Sequence, residues 1–180
     1  AKLIHRSRER LVRQAQEAGI DLRQSYVRVG KYALIKHQRY AYAKQYKRAK
    51  RQLRKLKTYL GRTIRDIRRE TKGDTAPEDA FRRPLWLAQW VMTQKSRDPW
   101  PKIYALHARE VECIVRGKSH KPYEFGVKVS LTTTNKRSKG GKFILHAKAL
   151  PGNPYDGHTL PEVLAETQAL SGREIERVYV

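Results

Sequence analysis

The chain has 180 residues, with 40 Lys and Arg against 17 Asp and Glu, a formal net charge of +23 and 39% hydrophobic residues. No stretch approaches the roughly 20 uncharged apolar residues of a membrane-spanning helix, and the single cysteine, Cys113, excludes an internal disulfide or a cysteine-based zinc cluster. A charge of this size points to an acidic partner, with nucleic acid first.

In chain order, residues 3–18 put Leu3, Ile4, Leu11, Val12, Ala15 and Ala18 on one stripe, which predicts a helix closed by Gly19. The next segment holds most of the charge: residues 31–72 carry 16 basic and 2 acidic side chains, against 12 and 8 in residues 103–180. It also has a seven-residue period. One seam position holds Ile35, Tyr42, Ala49, Leu56 and Thr63; the other holds Tyr32, Arg39, Tyr46, Leu53, Leu60 and Ile67. The pattern predicts one helix of about 40 residues, roughly 60 Å long, weakened at Gly61 and ended by Gly73.

Beside this seam stand Lys47, Arg48, Arg54, Lys55, Arg62, Arg68 and Arg69. A parallel self-dimer through the seam would oppose like charges. The seam is therefore expected to pack on helices of its own chain, while the basic flanks face a polyanion. With so few acids nearby, pairing along the helix cannot neutralise that face. Lys44, Lys47, Arg48, Arg51, Arg54, Lys55 and Arg62 are the expected nucleic-acid contacts in this region. Residues 77–95 predict a further helix, opened by Pro77 after Thr75, with a break or kink at Pro84. Its Trp86 and Trp90, four apart, are expected to pack in a core rather than stack on bases. Asp98-Pro99-Trp100-Pro101 reads as a rigid linker, which divides a basic helical region at 1–102 from a second part at 103–180.

The second part changes period. Tyr123, Phe125, Val127, Val129 and Leu131 alternate with polar residues and glycine, predicting one long strand, with a shorter one at Val111 to Val115. Phe143 to Leu150 predicts the antiparallel partner. The connecting tip carries Lys136, Arg137, Lys139 and Lys142, and with Lys118 and Lys121 it extends the expected phosphate contacts. Pro151-Gly152-Asn153-Pro154 ends the strand by turn chemistry. Thr159 and Glu162 have capping-box spacing ahead of Leu160, Val163, Leu164, Thr167 and Leu170, a helix closed by Gly172. Ile175 to Val180 reads as a last strand. Because the chain starts at Ala1 without methionine and stops inside that strand-like run, it reads as an internal fragment. On that reading its sheet would carry an unpaired edge and a thinly covered core.

Two stretches in this region are familiar. Lys121-Pro122-Tyr123-Glu124-Phe125-Gly126-Val127-Lys128-Val129, followed by Ala149-Leu150-Pro151-Gly152-Asn153-Pro154-Tyr155-Asp156-Gly157-His158-Thr159-Leu160, resembles the DDE transposases of bacterial insertion sequences. Ile175-Glu176-Arg177-Val178-Tyr179-Val180 is similar to the strand before that family's second catalytic aspartate. The resemblance covers residues 103–180 and implies a fold of mixed α+β or α/β class, a basic helical region followed by a partial ribonuclease-H-like β-β-β-α-β unit. It also implies a bacterial, cytoplasmic, nucleoid-associated enzyme of DNA recombination. Such an enzyme cleaves and joins the DNA ends of a transposable element with two divalent cations, usually Mg²⁺, and the complete protein can form homo-oligomers.

Physically, two such ions clamp the attacking and leaving oxygens of an in-line phosphoryl displacement. By the same resemblance the three metal-holding acids fall outside residues 1–180, so no cation is expected on this chain, nor DNA cleavage by it. Asp156 is the internal acid that could tempt a catalytic reading, but a turn or helix-start role is the expectation. Glu110 and Glu112, near His107, are likewise expected at the surface. His5, His37, His120 and His146 show no metal-ligand spacing. Two readings from other classes compete with the transposase. One is a non-catalytic RNA-binding or ribosome-associated protein using Tyr26, Tyr32, Tyr40, Tyr42 and Tyr46 for stacking. The other, a membrane-surface helix, lacks the large apolar face it would need.

Overall fold

A computed structural model describes residues 1–95, 98, 101–115, 120, 122–136 and 139–179. The chain divides into two compact units, Ala1–His107 and Ala108–Val180. Together they make a mixed α+β protein of helices and small antiparallel sheets. Pro99 and Trp100 of the expected linker lie outside the described residues.

The first unit is helical: α1 (Lys2–Glu17), α2 (Val27–Tyr42), α3 (Tyr46–Thr71) and α4 (Thr75–Thr93). The α1 stripe and its glycine stop match the sequence expectation. Ile20 N–H donates to Ala15 O (2.8 Å), Gly19 N–H donates to Gln16 O, and Gly19 takes φ +69°, the left-handed turn that closes a helix. Helix α3 packs against each of the other three. Its Leu56, Leu60, Ile64 and Ile67 meet Ile4, Leu11 and Ala15 of α1, Ala33 of α2, and Phe81, Leu85, Ala88 and Val91 of α4 in one core, which Ile103 joins from the loop beyond. Each such aliphatic side chain contributes about 1.5–3 kcal/mol on burial.

The single long helix is not formed. The chain reverses at Ala43–Gln45, where Lys44 adopts φ +57°. Gln45 N–H reaches back to Tyr40 O (2.8 Å) and Lys44 N–H to Ala41 O (3.1 Å). This pair of bonds satisfies the last carbonyls of α2 and turns the chain at once. Helices α2 and α3 therefore form a hairpin, with Tyr26, just before α2, stacked on Tyr59 at the middle of α3, ring centroids 4.8 Å apart. The seam holds along α3 from Ala49 onward and fails in α2 and at Tyr46, the first residue of α3. Tyr32, Tyr42 and Tyr46 point to solvent, with Tyr42 93% exposed. Heptad spacing reports only that a face is apolar, and the reversal rotates the upstream half out of register with the core.

Helix α4 starts two residues before the expected proline, where Asp74 accepts from Ala76 N–H. It then runs through Pro84 without a break in its helical assignment. The lost backbone bond is outweighed by burial of Phe81, Leu85, Leu87, Ala88 and Val91 on both sides of it. Trp90 packs against the core, whereas Trp86 stays half-exposed with its ring edge-on to Trp90 at 4.9 Å.

The second unit holds β1 (Glu112–Val115), β2 (Tyr123–Gly126), β3 (Lys128–Thr133), β4 (Ile144–Leu150) and α5 (Asp156–Ser171). The expected hairpin forms: β3 and β4 pair antiparallel from Lys128↔Leu150 to Thr133↔Ile144 across a loop carrying Lys136 and Lys139. The expected long strand divides at Val127, because β2 pairs with β1 and β3 with β4, in separate two-stranded sheets. Alternation specifies an extended chain but no partner, and Gly126 gives the break a weak point. Residues 175–179 are not a strand, and Val180 lies outside the described residues. Helix α5 begins at Asp156 rather than at a capping box. The Thr159 hydroxyl donates to Asp156 O instead (3.0 Å), and Asp156 places its charge in the first turn, where the helix dipole favours an acid. Gly172 closes the helix at φ +62°.

Helix α5 covers the polar face of the hairpin. Thr167 is fully buried and meets Thr132, and Lys148 bonds Glu166 (2.6 Å) and Glu162 (2.9 Å). On the opposite face Val129, Ala147 and Ala149 are exposed. Between β3, β4, α5 and the C-terminal residues lies a cavity of about 450 Å³, bordered by Leu160, Leu164, Ile175 and Val178.

Candidate nucleic-acid interface

Helix α3 turns at 100° per residue, so positions three and four apart share a face. Lys47, Arg51, Arg54, Arg62, Arg65 and Arg69 fall within one such narrow stripe, interrupted only by Thr58, and all six are exposed. The stripe is diametrically opposite Leu56, Leu60 and Ile67, which are buried. From Lys47 to Arg69 it extends about 33 Å at 1.5 Å per residue. Duplex DNA carries one phosphate charge per about 1.7 Å of axis, so a rod of this length passes roughly one helical turn of duplex. The apolar seam sets the direction of the cationic face: once Leu56, Leu60 and Ile67 are buried, no rotation of α3 hides its arginines.

Of the sequence-predicted contacts, Lys44, Lys47, Arg48, Arg51, Arg54, Lys55 and Arg62 are all exposed, and the six beyond Lys44 belong to α3. Lys44 sits in the α2–α3 turn. Arg48 bonds Gln45 (3.0 Å) and lies 5.8 Å from the Tyr40 ring centre. Lys136 and Lys139 are exposed at the β3–β4 loop of the other unit. Lys118, Lys121 and Arg137 lie outside the described residues.

Sequence reasoning missed a cluster at the C-terminal end of the stripe. Arg62, Arg65 and Arg69 of α3 meet Arg23, Gln24 and Tyr26 from the α1–α2 connection around a cavity of about 260 Å³, floored by Asp66. The 9%-exposed Asp66 carboxylate accepts from Arg23 N–H (2.8 Å) and from the Arg69 guanidinium. The Tyr26 hydroxyl accepts from Arg62 (3.4 Å). Arg65 has no hydrogen-bond or ion-pair partner among the described residues. The spacing of Arg62, Arg65 and Arg69 was legible in the sequence, but Arg23 and Tyr26 reach them only through the helical hairpin.

Asp156 stands at the first turn of α5 with its side chain 72% exposed, 2.8 Å from Lys128 Nζ. Lys128 also donates to Pro154 O (2.7 Å), and Gly152 N–H donates to Glu112 Oε1 (2.8 Å). These contacts fasten the turn between β4 and α5, with Asp156 in the first turn of the helix. Among the described residues no group of three or more His, Cys, Asp or Glu converges.

No protein-family model, curated protein or solved structure matches this chain. Among the described residues no helix is long and apolar enough to cross a membrane.

Proposed function

We propose that this chain is a nucleic-acid-binding part of a DNA transposase of the DDE type, in which α3 lies against duplex DNA and the second unit belongs to a ribonuclease-H-like core. The exposed cationic stripe from Lys47 to Arg69 carries the DNA-contacting half of this reading. Acids are nearly absent from it, and it is held outward by a buried seam, which is what a phosphate-tracking surface needs. The transposase half rests on the order and spacing of the motifs between Lys121 and Leu160, joined by the β3–β4 hairpin and the α5 helix that follows it. Mg²⁺ chemistry at insertion-element ends, assembly with further copies and a place on the bacterial nucleoid belong to the same proposal. The share of that activity proposed for this chain is nucleic-acid binding.

Mobility-shift titration with duplex DNA tests the first half: binding that weakens steeply with salt is expected, and salt-independent or absent binding overturns it. Strand cleavage and joining on element-end DNA with Mg²⁺, assayed in protein expressed from the complete reading frame, tests the second. Failure there under every condition removes the transposase reading.

One observation favours RNA binding as a second reading. Tyr32, Tyr42 and Tyr46 are exposed beside the basic side chains of the α2–α3 hairpin, where unpaired bases can stack. Competition between structured RNA and duplex DNA at one salt concentration separates the two. A marked RNA preference establishes the second and defeats the first.

A further inference from the structure

The arginine cluster at the end of the stripe differs in kind from the rest of it. Along most of α3 the cations are separate and point into open solvent. At Arg62, Arg65 and Arg69 they meet Arg23 from another segment around a concave space of about 260 Å³. Four guanidiniums stand against the Asp66 carboxylate and Glu70, which bonds Arg69 from outside the cavity, and this leaves two positive charges unbalanced. Like charges so close repel, and an anion of matching shape relieves that cost.

The cavity is also built rather than accidental. Asp66, held by the Arg23 backbone N–H and the Arg69 guanidinium, fixes the floor. Tyr26, stacked on Tyr59 with its rings only 12° from parallel, holds Arg62 through its hydroxyl. Arg65 keeps its donor fork unengaged among the described residues. A planar fork of N–H donors matches two oxygens of a phosphate, and a lysine at the same place would offer only a point charge.

We infer that this cup of Arg23, Arg62, Arg65 and Arg69 is a dedicated site for one phosphate group, which anchors the end of the α3 stripe on a nucleic-acid backbone. The inference rests on the reading of α3 as a nucleic-acid-contacting helix, and it adds a fixed point of register to a contact that is otherwise diffuse. A free phosphate and a backbone phosphodiester present the same oxygens to the cup, so both serve as probes.

The test follows arginine Nε–Hε resonances in the whole chain during titration with inorganic phosphate and, separately, with a short duplex oligonucleotide. Both probes are expected to shift Arg62, Arg65 and Arg69 first, ahead of Arg51 and Arg54. Arg65→Gln is expected to abolish the phosphate response and to weaken oligonucleotide binding about tenfold. Lys50→Gln, the same charge loss elsewhere on α3, should leave the phosphate response intact and cost much less affinity. Arg65→Lys keeps the charge and the fold but loses the fork, so it should resemble Arg65→Gln. Oligonucleotide binding that shifts only the stripe, with the cup silent, overturns the cup and spares the DNA-binding reading. Equal shifts of all arginines with phosphate, or equal losses in Arg65→Gln and Lys50→Gln, overturn it too. Absence of oligonucleotide binding with a phosphate response at the cup retains the site and removes the nucleic-acid reading instead.

Discussion

Gly30 of α2 packs directly against the guanidinium of Arg8 in α1: a Cβ on Gly30 would fall 3.1 Å from Arg8 Nε and 3.2 Å from Cζ and Nη2. Arg8 is 1% exposed, its Nη1 donates to Ser25 O at 2.6 Å, and burial lowers its pKa. A side chain held this way cannot step aside. Gly30→Ala is therefore expected to destabilise the protein by about 1–3 kcal/mol through overpacking, although alanine favours a helix by about 1 kcal/mol over glycine. Urea unfolding checks the sign, and an Arg8→Met background should shrink the penalty, since the coupled pair is then relieved.

Lys44 holds a left-handed conformation, φ +57°, in the turn that reverses the chain between α2 and α3. Glycine takes this conformation without the Cβ penalty. Lys44→Gly should stabilise the protein by about 0.5–1 kcal/mol, seen as a raised urea midpoint. A destabilised variant would mean the turn does not form as described. The same change also removes one cation, so a small loss of polyanion affinity should accompany the gain.

The two units should respond differently to acid. Burial holds His5 below its ordinary pKa, against the opposing pull of Glu9 at 3.0 Å. Its neutral form is preferred in the folded state, so stability is full above about pH 6.5 and declines as pH falls toward the lowered folded value. In the second unit Glu166 lies below the usual carboxylate value, chiefly through its hydrogen bond from Lys148, and Lys148 is raised by Glu166 and then Glu162. That link is complete between about pH 4.3 and 10.4. It is lost as pH falls through the Glu166 value or rises through the Lys148 value. Amide exchange should show α1 loosening below neutrality while β4 holds until far more acid conditions. Glu166→Gln should flatten the acid limb at β4 and leave α1 unaffected.

Removing Lys47, Arg51 and Arg54 together, each as Gln, should reduce the slope of log K against log salt for duplex DNA by about 0.9 for every phosphate that is no longer neutralised. The three side chains are exposed and opposite the core, so folding stability should change little. An unchanged slope would place the DNA elsewhere.

Much of this architecture could be read from local sequence. The α1 stripe with its glycine stop, the buried seam of α3 with its bare arginines opposite, and the β3–β4 hairpin with its basic loop all follow from side-chain period and turn chemistry, because those depend on neighbours a few residues away. Partner choice does not. Whether residues 31–72 ran straight or doubled back turned on Lys44 accepting a left-handed φ, worth about a kcal/mol locally and repaid by packing α2 on α3. In the same way, whether residues 123–131 made one strand or two depended on β1 and β4 competing for them. Helix α4 crossed Pro84 because the core held both halves of it. The arginine cup belongs wholly to tertiary structure, since Arg23 and Arg65 become neighbours only when the connection before α2 folds onto the far end of α3.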